Sequence, residues 1–467
     1  MLFTDPRFAL FVAIVMGAYY APWWRAWQPF TLVAASLAFY AAGQGAPLVA
    51  LLLASAALNG GAAWMVARAR DDAARRAWAV AGVAVNLATL ALFKYGALVE
   101  LTLRTALGHG SPAALVLALP LPVGISFYTF HGISLVVDVW RRDYTPPARP
   151  ARHARDTLLY LVFFPQLIAG PIARARKFLP QVRPKAFRAI RWRTAGRALI
   201  AGYFLKLCVA DHLRPLTDVL ESHYVYGLPT INIAALLAGY SAQIFADFAG
   251  YSLIAVGLAA LFGYVLPRNF DRPYAATSIR DFWRRWHRSL SQWLRDYLYR
   301  PLGGNTQGRV VTALNILTVM VLGGLWHGAA WGFALWGLWH GLLLVVERAF
   351  TRDGAGEPRR GVVAAARALV VFALVTAGWS LFRLTTMDRL LHFGEAVVDG
   401  RHSAPMLLPI AMLALYALPV MVLHAAPWVG GGTRPRWARW APLLDGLMLA
   451  LLVLDAAAPA PFIYFQF

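Results

Sequence analysis

The chain has 467 residues, 59% hydrophobic and only 14% charged, and its 44 basic against 22 acidic residues leave it at +22. A soluble domain carries about 25% charged residues, so three soluble globules of this length are excluded, as is disorder by 26 Phe, 18 Trp and 18 Tyr. The lone Cys208 rules out a disulfide scaffold, which leaves an all-α polytopic membrane protein whose few charges are collected into loops.

A helix needs about 20 mostly apolar residues to cross the hydrocarbon core. Apolar runs occur near 7–20, 28–42, 46–66, 78–93, 112–140, 194–212, 230–263, 309–325, 328–346, 361–384, 405–426 and 441–457. They predict about eleven or twelve transmembrane helices within one membrane domain over residues 1–467. The first run has Asp5 and Arg7 as its only charges, which is too weakly basic for a cleaved signal peptide, so it reads as a retained helix. Basic loops follow at 67–76, 141–155, 171–193, 268–309, 352–360 and 434–439; the third holds eight basic residues and no acid. Placing them in the cytoplasm puts the N-terminus outside. The Pro- and Arg-rich stretch 143–155 reads as an extended loop. Residues 157–170 break the alternation: the run is short and is interrupted by Pro165 and Gly170. It reads as a re-entrant or interfacial element, tolerated only where protein or water surrounds its broken backbone. The basic excess is the positive-inside signal together with attraction to anionic lipid; the other reading is that some arginines hold a phosphate-rich cytosolic ligand. Nucleic acid is not an expected partner, since no soluble domain carries such a surface.

Chemistry in such a chain comes from polar groups inside apolar segments. The candidates are His131, Asp138, Asp247, Asp281, His287, His327 and His340. In 278–300, Ser278 and Asp281 form a capping-box pattern, and Phe282, Trp283, Trp286, Leu290, Trp293 and Leu294 recur at helical spacing. This predicts one amphipathic helix at the cytoplasmic interface, with Arg284, Arg288 and Arg295 on its polar side and His287 on its apolar flank. His287 is then either a packed, hydrogen-bonded imidazole or a group facing a wet internal path. His327 lies between Trp326 and Gly328, after Gly323 and Gly324, in a run from 309 to 346 without a carboxylate. It is either a helix-packing residue or a general acid–base with a usable pKa. His340 repeats that local context, but on one continuous helix it would be turned roughly 140° from His327. His131 and Cys208 read as packing residues. There is no metal motif and no phosphate-binding Walker loop.

The block from Gln243 to Asn305, QIFADFAGYSLIAVGLAALFGYVLPRNFDRPYAATSIRDFWRRWHRSLSQWLRDYLYRPLGGN, precedes Gly323-Gly324-Leu325-Trp326-His327-Gly328. Upstream stand Pro122 to Phe130 (PVGISFYTF) and Phe163 to Pro171 (FFPQLIAGP). These four blocks, in this order, resemble the membrane-bound O-acyltransferase superfamily, and within it the bacterial branch of the alginate O-acetyltransferase membrane subunit. The likeness covers roughly residues 110–348. It implies a ring of helices around a thin centre, with His327 as the catalytic histidine and His287, in the FWxRWH block, as the second. One departure is His131, where relatives more often carry glutamine. The resemblance further implies acetyl-CoA as a donor entering from the cytoplasm, with no permanently bound cofactor. Arg284, Arg288 and Arg174 would meet its phosphates, and Asp247, Trp326, His340 and Trp283 would line the substrate channel. His327 would act as general base on an acceptor hydroxyl carried by a periplasmic partner, a lipid-linked sugar or a polymer, and a separate periplasmic, SGNH-like polysaccharide acetyltransferase is the expected partner. A transporter along the same polar path, or a non-catalytic scaffold of a polysaccharide export complex, are the alternatives; only the transferase requires His327 and a thioester donor.

Overall fold

A computed structural model describes residues 3–107, 121–351, 361–400, 403–429 and 440–463. The basic loops expected at 352–360 and 434–439, and the start of the run at 112–140, lie outside these residues. Among the described residues every regular element is helical. Among the described residues seven helices are long and apolar enough to cross a membrane: 46–68, 72–96, 230–261, 308–327, 331–350, 362–383 and 407–425. Shorter apolar helices occupy 6–20, 125–140 and 441–454. The all-α membrane architecture demanded by the composition is therefore present. The chain forms two compact units, one of residues 1–199 with 254–267 and one of residues 200–253 with 268–467.

The first unit begins with α1 (Pro6–Tyr20), α2 (Gln28–Gln44), α3 (Ala46–Arg68) and α4 (Asp72–Leu107). Asp5 caps α1 by accepting from the Arg7 N–H, and Pro6 occupies the first turn, where a missing N–H costs nothing. Two polar residues within the spans pair with each other: Asn59 of α3 and Asn86 of α4 exchange side-chain hydrogen bonds of 2.8 and 3.2 Å. Beyond α5 (Ile125–Trp140), the supposed extended loop is helical from its third proline onward, in α6 (Pro150–Val162). Pro150 at the first helical position, with its φ already suited to the helix, is the reason.

The interrupted run at 157–170 is indeed broken. It comprises the end of α6, a bend at Phe163 and the single turn α7 (Phe164–Leu167), and Leu159 to Phe164 are fully buried. Its freed backbone groups find partners. Ser36 Oγ accepts from the Phe164 N–H at 3.0 Å, and the Gln166 amide donates to the Tyr160 carbonyl at 2.9 Å. Irregular backbone inside a membrane protein requires this kind of satisfaction. His131 packs 5.2 Å from the Tyr160 ring and is fully buried, the packing role read for it. A further turn, α8 (Ala175–Phe178), and the helix α9 (Trp192–Tyr203) close the basic stretch.

The second unit contains a π-turn at Phe204–Ala210, α10 (Asp211–Thr217) and most of α11 (Thr230–Leu261). It continues with α12 (Ile279–Arg285), α13 (Arg288–Leu294), α14 (Gly308–His327), α15 (Trp331–Phe350) and α16 (Val362–Arg383). It ends with α17 (Met387–Asp399), α18 (Leu407–Val429) and α19 (Ala441–Leu454). Helices α14 and α15 form a hairpin that packs backbone against backbone. A Cβ on Gly337 would lie 2.3 Å from the Met320 carbonyl oxygen, and one on Gly324 would lie 2.2 Å from that of Phe333. Small residues at such crossings are the usual means by which membrane helices approach closely. Cys208, on the π-turn, is a buried free thiol.

Candidate functional site

The predicted helix over 278–300 is two helices, not one. Ser278 caps α12 as expected, its Oγ accepting from the Asp281 N–H at 3.0 Å. The Glu347 carboxylate, from α15, also accepts from the Ile279 and Arg280 N–H groups and so fixes the same end. The helix then stops at Trp286, because His287 takes a left-handed conformation, φ 38° and ψ 52°. A non-glycine residue there stores strain that its surroundings must hold. Asn269 does so: its carbonyl accepts from the Arg288 N–H at 2.9 Å, and its side-chain oxygen accepts from Ser289 Oγ at 2.6 Å. The break turns the His287 ring out of any helical stripe and into the protein, where it is 1% exposed.

His327 ends α14. Gly328 follows in extended conformation, and a Cβ there would overlap the Phe333 ring at 2.1 Å, so only glycine lets the chain turn back into α15. The centroids of the His287 and His327 rings are 6.4 Å apart. Trp326 contacts both, at 6.0 and 5.0 Å. Trp336 and Phe382 each stand 5.2 Å from His327, edge to face, and Phe248 stands 4.6 Å from His287. Neither ring nitrogen of His287 has a hydrogen-bond partner among the described residues. Burial pushes its imidazole down to about 3, so it is neutral and offers one N–H and one lone pair. The pair of histidines thus sits within one cluster of aromatic rings, called the chamber below.

His340 is on a different helix from His327, since the chain reverses at Gly328–Ala330. The 140° offset computed for one continuous helix therefore does not apply. Trp336 touches both imidazoles, lying 5.0 Å from His340, which also meets Trp283 at 5.2 Å. Trp283 in turn lines a cavity of about 610 Å³ whose wall carries Arg280, Arg284, Arg288, Arg295 and Arg348. Arg284 and Arg288 are thus brought together with three further arginines, and Trp283, in that cavity's wall, packs edge to face against Trp336 at 5.7 Å. Arg174 caps α8 in the first unit and is not among the cavity's lining residues. Asp247 is engaged elsewhere: it pairs with Lys206 at 2.7 Å and accepts the Ile463 N–H at 2.7 Å. Its neighbour Phe248, not Asp247 itself, reaches His287.

The family profile of the membrane-bound O-acyltransferases matches residues 151–353, a stretch that contains both histidines. The chain is 33% identical over its whole length, and over the whole relative, to a "Probable alginate O-acetylase" of Azotobacter vinelandii. It is 34% identical, again over both full lengths, to the protein of the same name from Pseudomonas putida. A peptidoglycan O-acetyltransferase of Helicobacter pylori is 32% identical over 79% of this chain and 73% of its own. The chain belongs to the membrane-bound O-acyltransferase family. It is accordingly a multi-pass membrane O-acyltransferase.

Sequence reasoning did not single out Trp336, Phe382 or Phe248 as walls of the chamber, nor Arg280 and Arg348 as walls of the cavity. Nothing in a stripe of aromatics distinguishes a chamber wall from ordinary core. Asn269 had a faint signal, as a polar residue in the short segment between α11 and α12.

Proposed function

We propose that this acyltransferase moves an acetyl group from acetyl-CoA, entering from the cytoplasm, to a hydroxyl acceptor on the far side of the bacterial inner membrane. The acceptor serves O-acetylation of a cell-surface polysaccharide. The observation that carries this reading is the run of packed rings from Trp283, in the wall of an arginine-lined cavity, through Trp336 to His327. The activities for which the relatives are named, O-acetylation of alginate and of peptidoglycan, support the choice of acyl group and of acceptor class.

The five arginines of the cavity receive the donor phosphates, for which guanidinium groups have the matching geometry. Arg174 is left outside this donor site and is assigned to the cytoplasmic charge bias of its loop. The pantetheine arm runs past Trp283 toward the chamber. His327 removes the proton from the acceptor hydroxyl as that oxygen attacks the thioester carbonyl. The new C–O bond forms, the C–S bond breaks, and the departing thiolate recovers the proton from the imidazolium. His287, held neutral, donates its N–H toward the reacting oxygen and keeps its lone pair for the acceptor's orientation. The N-terminus faces the periplasm, where a separate SGNH-like transferase passes the acetyl group to polymer.

The test is ester-linked acetate on isolated surface polysaccharides from wild-type cells, a deletion, and the deletion complemented with His327→Ala or His287→Ala. Acetate should vanish in the deletion, stay absent with His327→Ala and return only in part with His287→Ala. Full acetylation by a well-expressed, membrane-inserted His327→Ala protein would overturn the assignment and turn attention to transport without catalysis.

A further inference from the structure

Arg383, the last residue of α16, is only 6% exposed, and an arginine is almost never buried unless it is paired. Its pairing is double. Nη2 lies 2.5 Å from Asp218 and Nε lies 2.6 Å from Glu221. Both carboxylates stand on one 3-10 turn, Asp218–Glu221, that follows α10. The Tyr240 ring of α11 lies 5.2 Å from the guanidinium carbon. Two arginines nearer the surface extend the row: Arg214 is 3.8 Å from Asp218, and Arg389 of α17 is 3.5 Å from Glu221. Charges thus alternate along a row with the buried Arg383 at its centre.

The residue before it belongs to the chamber. Phe382 is turned about 100° from Arg383 on the helix and faces the other way. Its ring stands edge to face against His327 at 5.2 Å, Trp336 at 5.2 Å and Phe333 at 5.0 Å. The turn after Arg383 packs on the start of α15. The Gly332 N–H donates to the Thr385 carbonyl at 3.2 Å, and a Cβ on Gly332 would lie 2.8 Å from the Leu381 carbonyl oxygen. Gly332 comes five residues after His327, just past the reversal of the chain. One end of α16 is therefore tied by charge to the 3-10 turn and by backbone contact to the reversal that follows His327. A buried ion pair adds little stability over apolar residues of the same volume. What this one does supply is a fixed place for its helix end.

We propose that Arg383 is a positioning residue of the transfer site: paired with Asp218 and Glu221, it holds Phe382 against His327 and so keeps water from the acyl carbonyl. This rests on the reading of His327 as the base that acts on a thioester. If Phe382 moves away, water takes the acceptor's place. His327 takes a proton from the water, the water oxygen bonds to the acetyl carbon, the C–S bond breaks, and the thiolate recovers that proton. Acetic acid and the free thiol of CoA are the products.

The test uses the purified full-length protein in lipid nanodiscs with acetyl-CoA and no other acceptor, reading thiol and acetate release. Arg383→Met should raise both about tenfold over wild type. Phe382→Ala, with Arg383 intact, should give a similar rise, and the two changes together should give no more than the larger of them. The triple variant Arg383→Met, Asp218→Asn, Glu221→Gln discards the buried charges together, so its melting temperature should recover while the release stays high. A merely structural arginine would lose both effects at once. Wild-type release from a folded Arg383→Met protein overturns the proposal, as does a triple variant in which release falls back with recovered stability. If the extra release survives the addition of His327→Ala, the reading of His327 as the base fails and the clamp on Phe382 stands.

Discussion

Replacing Lys206 by methionine should be among the most damaging single changes outside the chamber. Its ammonium lies 2.7 Å from Asp211 and 2.7 Å from Asp247, and none of the three side chains is more than 5% exposed. The two carboxylates are tolerable so close together only because one cation sits between them. Removing one member of a buried ion pair costs about 3–5 kcal/mol. Here two anions lose their partner at once, so the upper end applies, against a total stability of about 5–15 kcal/mol. The loss also has a local symptom. The other oxygens of the same carboxylates hold the Ala460 and Ile463 N–H groups, at 3.3 and 2.7 Å. The segment leading to Ile463 should therefore be cleaved by protease well before the rest of the protein. Thermal unfolding in detergent, with timed proteolysis read by mass spectrometry, measures both effects. The triple variant Lys206→Met, Asp211→Asn, Asp247→Asn discards the charges together and should recover most of the lost stability. Wild-type melting by Lys206→Met, or a triple variant less stable than the single one, would refute the reasoning.

Gly337→Ala should destabilise by about 1–3 kcal/mol, since its Cβ meets backbone at 2.3 Å, whereas Gly61→Ala on α3 meets open space and should be neutral or mildly stabilising; melting temperatures compare them. Arg284→Gln with Arg288→Gln should raise KM for acetyl-CoA about tenfold or more with little change in kcat, measured as acetyl transfer in nanodiscs; an unchanged KM would remove these two from the donor site. The exposed His392 has its pKa raised by its hydrogen bond to Glu395, with Asp388 adding to the effect. The folded state therefore binds this proton more tightly than the unfolded chain, and the stabilisation is complete below pH 6.5 and lost as pH rises through the raised value. A histidine titration by NMR should place its midpoint above 6.5, and His392→Asn should remove that part of the pH dependence.

Much of the architecture was legible because the bilayer imposes it. Among the described residues most apolar runs of membrane length are helices, and Pro165 and Gly170 marked a place where the backbone is broken yet buried. The misreadings share a physical cause. Periodicity assumes that φ stays helical, and at His287 it does not. The left-handed residue is held by Asn269, eighteen positions upstream, and no local pattern reports a partner so far away. The His327–His340 spacing failed for the same reason, since Gly328 ends one helix before the second histidine begins its own. Asp247 looked like a group exposed to a channel because its partners, Lys206 and the Ile463 N–H, are about 40 residues before it and more than 200 after it.

An acyltransferase and a thioesterase differ in what reaches the carbonyl. With an imidazole base present, water would compete with the acceptor unless the chamber excludes it, and the walls here do that with Trp326, Trp336, Phe382 and Phe248. Excluding water also strengthens each polar interaction that remains, so a single N–H from a neutral His287 counts for more than it would at a surface. The left-handed conformation that turns His287 toward His327 costs on the order of 1–3 kcal/mol. A backbone outlier, an unpartnered neutral imidazole and a carbon-walled chamber next to an arginine-lined cavity meet at one place. Each supports transfer over hydrolysis or passive conduction, and none of them follows from the family resemblance.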